Sequence, residues 1–137
     1  MREITVDATI ENVQTITDFV DKRLEEINCP MKALMQINIA IDELCSNVAR
    51  YAYSGKKGQI TVGVDTLGKP MAVQITFIDE GVPYDPLQKK DPDITLSAEE
   101  RKIGGLGIYM VKKTMDEFHY EYKDGKNIVT VRKIVEN

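Results

Sequence analysis

A glutamate and an asparagine, Glu43 and Asn47, lie four residues apart, with apolar residues such as Leu44 and Val48 beside them. Residues four apart are neighbours on a helix surface, and Arg50 falls about one turn further along that face. A carboxylate next to buried apolar positions needs a hydrogen-bond partner or a chemical task. The spacing fits a base with a metal ligand, and it also fits an ordinary solvated pair on a helix.

A second polar feature, Asp79, follows the apolar run at 71–78 and precedes Gly81 by two residues. Such a run predicts a buried strand, so the aspartate stands at a strand end. A glycine there allows the backbone to pass close to a ligand. A plain turn that ends the strand is the alternative interpretation.

A glycine cluster, Gly104-Gly105-Leu106-Gly107, opens a predicted third helix. Glycines at a helix start let backbone N–H groups approach phosphate oxygens, and the helix dipole favours the negative charge. The spacing matches neither the dinucleotide fingerprint nor the lysine-bearing phosphate loop. The cluster alone is a weak indication of phosphate binding, but its occurrence in one order with the two features above is a stronger one.

The elements that must position these residues follow from hydrophobic periodicity. Strands are predicted at 2–7, 59–65, 71–78, 118–122 and 128–134, and helices at 9–28, 31–51 and from 104 onward. The order predicts an α+β fold, a two-layer sandwich in which a mostly antiparallel, mixed sheet carries helices on one face. Residues 79–102 show no sustained period and contain three prolines, as functional loops often do.

Composition excludes several classes of protein. The 137 residues suit one domain at 1–137, with 42% hydrophobic and 29% charged residues. A net charge of −4 argues against binding nucleic acid through long-range attraction. The apolar runs are too short for a membrane span, and Cys29, Cys45 and His119 have no metal-ligand spacing. We therefore expect a cytoplasmic protein with reduced thiols and no membrane or nucleic-acid partner.

The order of these segments resembles the ATP-binding domain shared by type II topoisomerases, sensor histidine kinases and bacterial anti-sigma-factor serine kinases. The similarity is greatest to the anti-sigma kinases and spans nearly the whole chain. The most specific segments are IDELCSN at 41–47, DEGVP at 79–83 and GGLGIYMV at 104–111.

The resemblance implies ATP and Mg²⁺ as ligands and gives each residue a role. Asp79 would accept a hydrogen bond from the adenine amino group, and Gly81 would let the chain pass close to the base. Asn47 would offer its side-chain oxygen to Mg²⁺, and Glu43 would act as the general base.

The glycine cluster has an implied role as well. Gly105 and Gly107 would offer N–H groups to the phosphates, within the segment that also contains Gly104 and Leu106. Residues 84–103 would form a lid over the nucleotide. Lys102, just before the glycines, is either a phosphate contact or a solvated lysine of the lid.

Two positions depart from the family pattern. Arg50-Tyr51 stands where relatives often carry a histidine after the asparagine. Lys126-Asn127 replaces the usual Gly-Thr near the last strand, so one polar contact to the nucleotide is missing or is supplied by Asn127.

The implied function is that of an ATP-dependent serine/threonine protein kinase and anti-sigma factor. It would phosphorylate an anti-sigma antagonist protein and sequester a sigma factor as a homodimer. One alternative is a nucleotide-dependent clamp that binds a partner without transferring phosphate, and another is a structural domain with no ligand. Glu43 favours the kinase, because a clamp does not need a base.

Overall fold

A computed structural model describes residues 1–88 and 105–135, which form five strands and three α-helices. The strands are β1 (Arg2–Asp7), β2 (Gln59–Leu67), β3 (Ala72–Asp79), β4 (Glu117–Lys123) and β5 (Lys126–Ile134). The helices are α1 (Val13–Glu26), α2 (Met31–Asn47) and α3 (Gly105–Thr114).

The strands form one sheet in the order β1-β2-β3-β5-β4, and each of the four pairings is antiparallel. The central strand β3 is hydrogen-bonded on one side to β2 and on the other to β5. Its alternate residues Val73, Ile75 and Phe77 are almost fully buried. The sheet therefore has one apolar face, and Asp79 continues the inward-facing set at the end of β3.

The helices cover that apolar face. Ile16, Val20 and Leu24 recur at helical spacing on α1 and are at most 1% exposed. On α3, Ile108 and Val111 face the same core. Helices on one side of a five-stranded antiparallel sheet confirm the predicted α+β sandwich.

The helix boundaries differ from those predicted. The first predicted helix begins as a 3₁₀ turn at Ile10–Asn12, and α1 starts only at Val13. The α-helical part of the second ends at Asn47 and continues as a π-helical segment, Val48–Ala52. A π-helical turn is wider than an α-helical one and often marks a functional site. Ser54 and Gly55, with φ of 49° and 80°, then end the segment in the left-handed region.

Candidate functional site

Four elements bring polar side chains to one edge of the sheet. Asp79 is the last residue of β3, and Asn127, the second residue of β5, is its partner across the two strands. The end of α2 carries Glu43 and Asn47, and the first turn of α3 places Gly107 against Glu43. Three of the sequence motifs, far apart along the chain, therefore meet here.

The Asp79 carboxylate lies at the floor of this site, and only 6% of the residue is exposed. Its Oδ1 accepts hydrogen bonds from the N–H of Gly81 and from Nδ2 of Asn127, each at 2.9 Å. Burial raises the pKa of Asp79 above its usual value, and these two hydrogen bonds oppose the rise because they favour the ionised form.

Asn127 is the most extensively hydrogen-bonded side chain of the site and is 3% exposed. Its Oδ1 accepts hydrogen bonds from the N–H of Tyr84 at 3.1 Å and from the hydroxyl of Tyr120 at 2.6 Å. Its Nδ2 donates to Asp79 and to the carbonyl of Val82, both at 2.9 Å. One amide thus joins β3, β4, β5 and the chain that follows β3.

Sequence reasoning noted Asn127 as a departure from the family pattern but gave it no definite task. A stronger signal was present in β5. Position 127 is in phase with Val129 and Val131, which face the core. An asparagine at an inward-facing position of an alternating strand must have hydrogen-bond partners, and this points to a polar site.

An open cleft lies between the end of α2 and the ends of β3 and β5. Including its mouth, it contains about 440 Å³ that protein atoms do not fill. The rings of Tyr51 and Tyr84 both line it, with centroids 6.4 Å apart, and Tyr51 is 49% exposed. We expect such exposed side chains to move when a ring-sized ligand binds.

Asn47 lies on the wall of the cleft and is buried. Among the described residues its Nδ2 has no hydrogen-bond partner. An unsatisfied buried polar group costs about 1–3 kcal/mol, so the amide is suited to a ligand or a bound water. Magnesium prefers oxygen ligands and usually takes one or two from the protein beside phosphates. The amide oxygen of Asn47 fits that preference.

Glu43 is partly buried, one turn before Asn47 on α2. A Cβ atom built on Gly107 would collide with the Glu43 carboxylate. Glycine at this position therefore allows close approach of α3 to the carboxylate. The predicted contact of Gly107 with phosphate stays a prediction. The close approach of Gly107 to Glu43 was not predicted from the sequence.

The turn after β3 is held by the segment that follows α2. A Cβ atom on Gly81 would collide with the backbone of Ala52, whose carbonyl accepts the N–H of Val82 at 2.8 Å. The hydroxyl of Tyr53 accepts the N–H of Glu80 at 2.9 Å. The carbonyl of Ala52 thus binds the turn after β3, and the predicted close passage of the chain by the base at Gly81 stays a prediction.

Arg50, expected on the face of Glu43 and Asn47, is exposed in the π-helical segment, whereas Asn47 is buried. Gly105 and Leu106 begin α3, as the glycine cluster predicts. Lys102, Gly104 and most of the predicted lid at 84–103 lie outside the described residues, so those predictions stay predictions.

The sequence from residue 6 to residue 133 matches the family described as histidine kinase-like ATPase domain. The chain belongs to this family. Similar ATPase-family proteins include the serine-protein kinase RsbW of Listeria monocytogenes, which is 28% identical over 110 residues, 77% of this chain and 69% of the relative. The serine-protein kinase RsbW of Bacillus pumilus is 30% identical over 101 residues, 70% of this chain and 62% of the relative.

Two solved structures share the fold. The RsbU and RsbW domains of Rv1364c from Mycobacterium tuberculosis match 97% of this chain, with a TM-score of 0.65 and 20% identity. This chain spans about a third of that one, 32% of its length. The Acinetobacter baumannii histidine kinase AdeS matches all of this chain and 70% of its own, with a TM-score of 0.51 and 15% identity.

Membership of the histidine kinase-like ATPase family confirms the predicted resemblance and the fold class. The relatives named serine-protein kinases agree with the branch of the family that the sequence motifs indicate. Across residues 1–88 and 105–135, none of the helices combines the length and the apolar character that crossing a membrane demands.

Proposed function

We propose that this chain is an ATP-dependent serine/threonine protein kinase and anti-sigma factor. It phosphorylates a serine of an anti-sigma antagonist protein and sequesters a sigma factor, as a cytoplasmic homodimer. The observation that carries the kinase is the cleft itself, with the buried carboxylate of Asp79 at its floor and the incompletely paired amide of Asn47 on its wall. The partners and the dimer rest on the family resemblance.

Asp79 binds the nucleobase in this proposal. Its Oδ1 already accepts two hydrogen bonds from the protein, so Oδ2 is the atom that accepts the amino group of adenine. An ionised carboxylate only accepts hydrogen bonds, so the base must present a donor at this point. Adenine presents an amino group where guanine presents a carbonyl, and ATP is therefore preferred over GTP.

Glu43 takes the proton of the attacking hydroxyl. The serine oxygen of the acceptor forms a bond to the γ-phosphorus as the bond from that phosphorus to the β–γ bridging oxygen breaks, and ADP leaves. Phosphoryl transfer depends mainly on positioning and on charge stabilisation, so few side chains are required. Asn47 is the residue that would hold Mg²⁺, and the ion would supply positive charge that offsets part of the phosphate charge.

Two substitutions on one helix face test this assignment. Asn47→Ala removes the amide and should weaken Mg·ATP binding, measured by calorimetry. Glu43→Gln keeps the shape and hydrogen bonding but removes the base, so ATP binding should persist while transfer falls roughly 10²–10⁴-fold. Transfer is measured as phosphate added to a candidate antagonist protein, by intact mass.

The results separate the kinase from its alternatives. A wild-type protein that binds ATP and retains a partner but phosphorylates no antagonist would be a nucleotide-dependent clamp. If Glu43→Gln phosphorylates the antagonist as fast as wild type, Glu43 is not the base. If neither substitution changes binding or transfer and both alter stability only slightly, the two residues have neither of the proposed roles.

A further inference from the structure

The amide of Asn127 has no hydrogen-bonding capacity left for a nucleotide. An amide oxygen accepts two hydrogen bonds, and this one receives the N–H of Tyr84 and the hydroxyl of Tyr120. The nitrogen has two hydrogens, which go to Asp79 and to the carbonyl of Val82. Asn127 therefore cannot supply the polar contact to the nucleotide that the family pattern leaves open.

Backbone partners determine which way the amide faces. The N–H of Tyr84 can only donate, so it requires Oδ1, and the carbonyl of Val82 can only accept, so it requires Nδ2. With both ends fixed in this way, Nδ2 must face Asp79. An aspartate at position 127 would keep the acceptor for Tyr84 and lose this donor.

The contact with Asn127 determines in turn which Asp79 oxygen is available. Oδ1 accepts from Asn127 and from Gly81, each at 2.9 Å. Within residues 1–88 and 105–135, Oδ2 receives no hydrogen bond, although Asp79 lines the cleft. The carboxylate is thus held with one oxygen committed to the protein and the other available to a ligand.

We propose that Asn127 is a positioning residue that presents Oδ2 of Asp79 to the nucleobase and couples this carboxylate to the chain at Val82 and Tyr84. The proposal rests on the proposed function and deepens it, because it assigns base recognition to a pair of residues. Tyr84 is the first residue of the predicted lid, so the contacts of one amide extend from the base-binding carboxylate to the start of that segment.

Three variants distinguish the two parts of the proposal, which are the positioning of Asp79 and the coupling of Asp79 to Val82 and Tyr84. Asn127→Asp keeps an acceptor for Tyr84 and Tyr120 but places a second carboxylate beside Asp79. Asn127→Ser shortens the side chain and takes the Nδ2 donor and the Oδ1 acceptor away from their present positions. Tyr120→Phe is the matched control, because it removes one hydrogen bond to Oδ1 and leaves the contact with Asp79 intact.

The first measurement needs no nucleotide. The ¹³C resonance of the Asp79 carboxyl group is followed by NMR as a function of pH. The titratable groups that share a pocket with Asp79 or interact with it are followed in the same experiment: Tyr51, Tyr53, Lys57, Glu80, Tyr84, Tyr120 and Lys126. Because Asn127 favours the ionised form, Asn127→Asp and Asn127→Ser should move the Asp79 midpoint to higher pH, and Tyr120→Phe should leave it near the wild-type value.

The second measurement is ATP affinity and amide exchange at Tyr84. At neutral pH we expect Asn127→Asp to bind ATP roughly 10- to 100-fold more weakly, with recovery as the pH rises. The Tyr84 amide should stay protected in Asn127→Asp and exchange faster in Asn127→Ser. A merely structural role would lower affinity without this pH dependence.

Two outcomes overturn the proposal. An unchanged Asp79 midpoint in Asn127→Ser shows that Asn127 does not control the carboxylate, even if Asn127→Asp fails to fold. Equal ATP affinity and pH profile in wild type and Asn127→Asp also contradicts it. If wild type binds no ATP but its Asp79 midpoint still depends on Asn127, the positioning role stands and the proposed function fails.

Discussion

The two ends of the cleft are built in different ways. At the proposed base end, Asp79 and Asn127 are buried and joined to each other and to four further residues by hydrogen bonds of 2.6–3.1 Å. At the other end, Asn47 has an amide nitrogen without a partner among the described residues, and Glu43 is accommodated by a missing side chain at Gly107.

The difference follows from what each end would recognise. A nucleobase is a rigid, neutral ring, so a preformed acceptor can recognise it without rearrangement. Phosphates are charged and change their bonding during transfer, so the groups that bind them must keep capacity for them, as Nδ2 of Asn47 does among the described residues. We therefore expect changes at the base end to alter stability and affinity together, and changes at Glu43 and Gly107, at the phosphate end, to alter rate.

The largest expected effect tests the phosphate end. Gly107→Ala places a methyl group where the Glu43 carboxylate now lies, so that carboxylate must move. A displacement of about 1 Å can lower the rate of transfer ~100-fold. The measurement is phosphate transfer at saturating ATP, together with ATP affinity, which should change far less.

Gly63→Ala is the matched control for this substitution. Gly63 lies on β2, and the three atoms nearest to its added methyl group would all belong to the flexible side chain of Met1. Transfer by Gly63→Ala should be close to wild type. Equal loss in both variants would show that the glycine effect is general and that Gly107 has no particular relation to Glu43.

The next effect concerns the base end. Asp79→Asn replaces the acceptor facing the cleft by a donor, or leaves it neutral, and should weaken ATP binding by about 1.5–3 kcal/mol, the contribution of a charged hydrogen bond. Discrimination against GTP should fall as well. Calorimetry with both nucleotides measures this, and unchanged ATP affinity in a folded variant would rule out the adenine contact.

The substitution Asp79→Asn should weaken ATP binding but should favour the folded state, relative to wild type, as the pH rises. Because burial raises the folded-state pKa of Asp79, the folded protein binds a proton more readily than the unfolded chain. This contribution to stability is fully present below the unfolded pKa and is lost as the pH rises through the folded pKa. Asp79→Asn has no such loss. Denaturant titration should therefore show that its free energy of unfolding rises relative to that of wild type as the pH rises. The ATP affinity of wild type should increase over the same pH range.

A smaller effect is expected where the turn after β3 meets the π-helical segment. Gly81→Ala forces a methyl group against the backbone of Ala52 and should cost about 1–3 kcal/mol of unfolding free energy, as overpacking does. ATP affinity should fall with it, since the turn adjoins Asp79. Reduced stability with unchanged ATP affinity in Gly81→Ala would show that this turn does not contribute to base binding.

The smallest effect is expected for Tyr53→Phe. It removes a hydroxyl that accepts the N–H of Glu80 and donates to the carbonyl of Gln59 at 2.6 Å. The loss should be about 1 kcal/mol of stability, with a change in ATP affinity of a few fold. Tyr122→Phe is the matched control, because Tyr122 is 46% exposed on the edge strand β4. A larger loss in the control would argue against a specific role of Tyr53.

Much of this arrangement could be predicted from local pattern. Residues on one helix face and glycines at a helix start are visible in a few consecutive residues, so Glu43, Asn47 and the start of α3 were predictable. The contact between Asp79 and Asn127 was not, because it depends on the register of two strands that lie 48 residues apart. The π-helical segment was missed for a related reason, since the carbonyl of Ala52 binds a distant N–H, that of Val82.

The order of strands in the sheet also bears on when the cleft comes into being during synthesis. β5 is the last of the five strands in the sequence, yet it lies between β3 and β4 in the sheet. A nascent chain that has not yet released Lys126–Ile134 from the ribosome leaves β3 with an open edge and β4 with no neighbour. Pairings this distant in sequence form slowly, because the loop must close before any contact stabilises it. The proposed base site therefore forms only after β5 is released, and partly synthesised chains that lack β5 should bind no nucleotide.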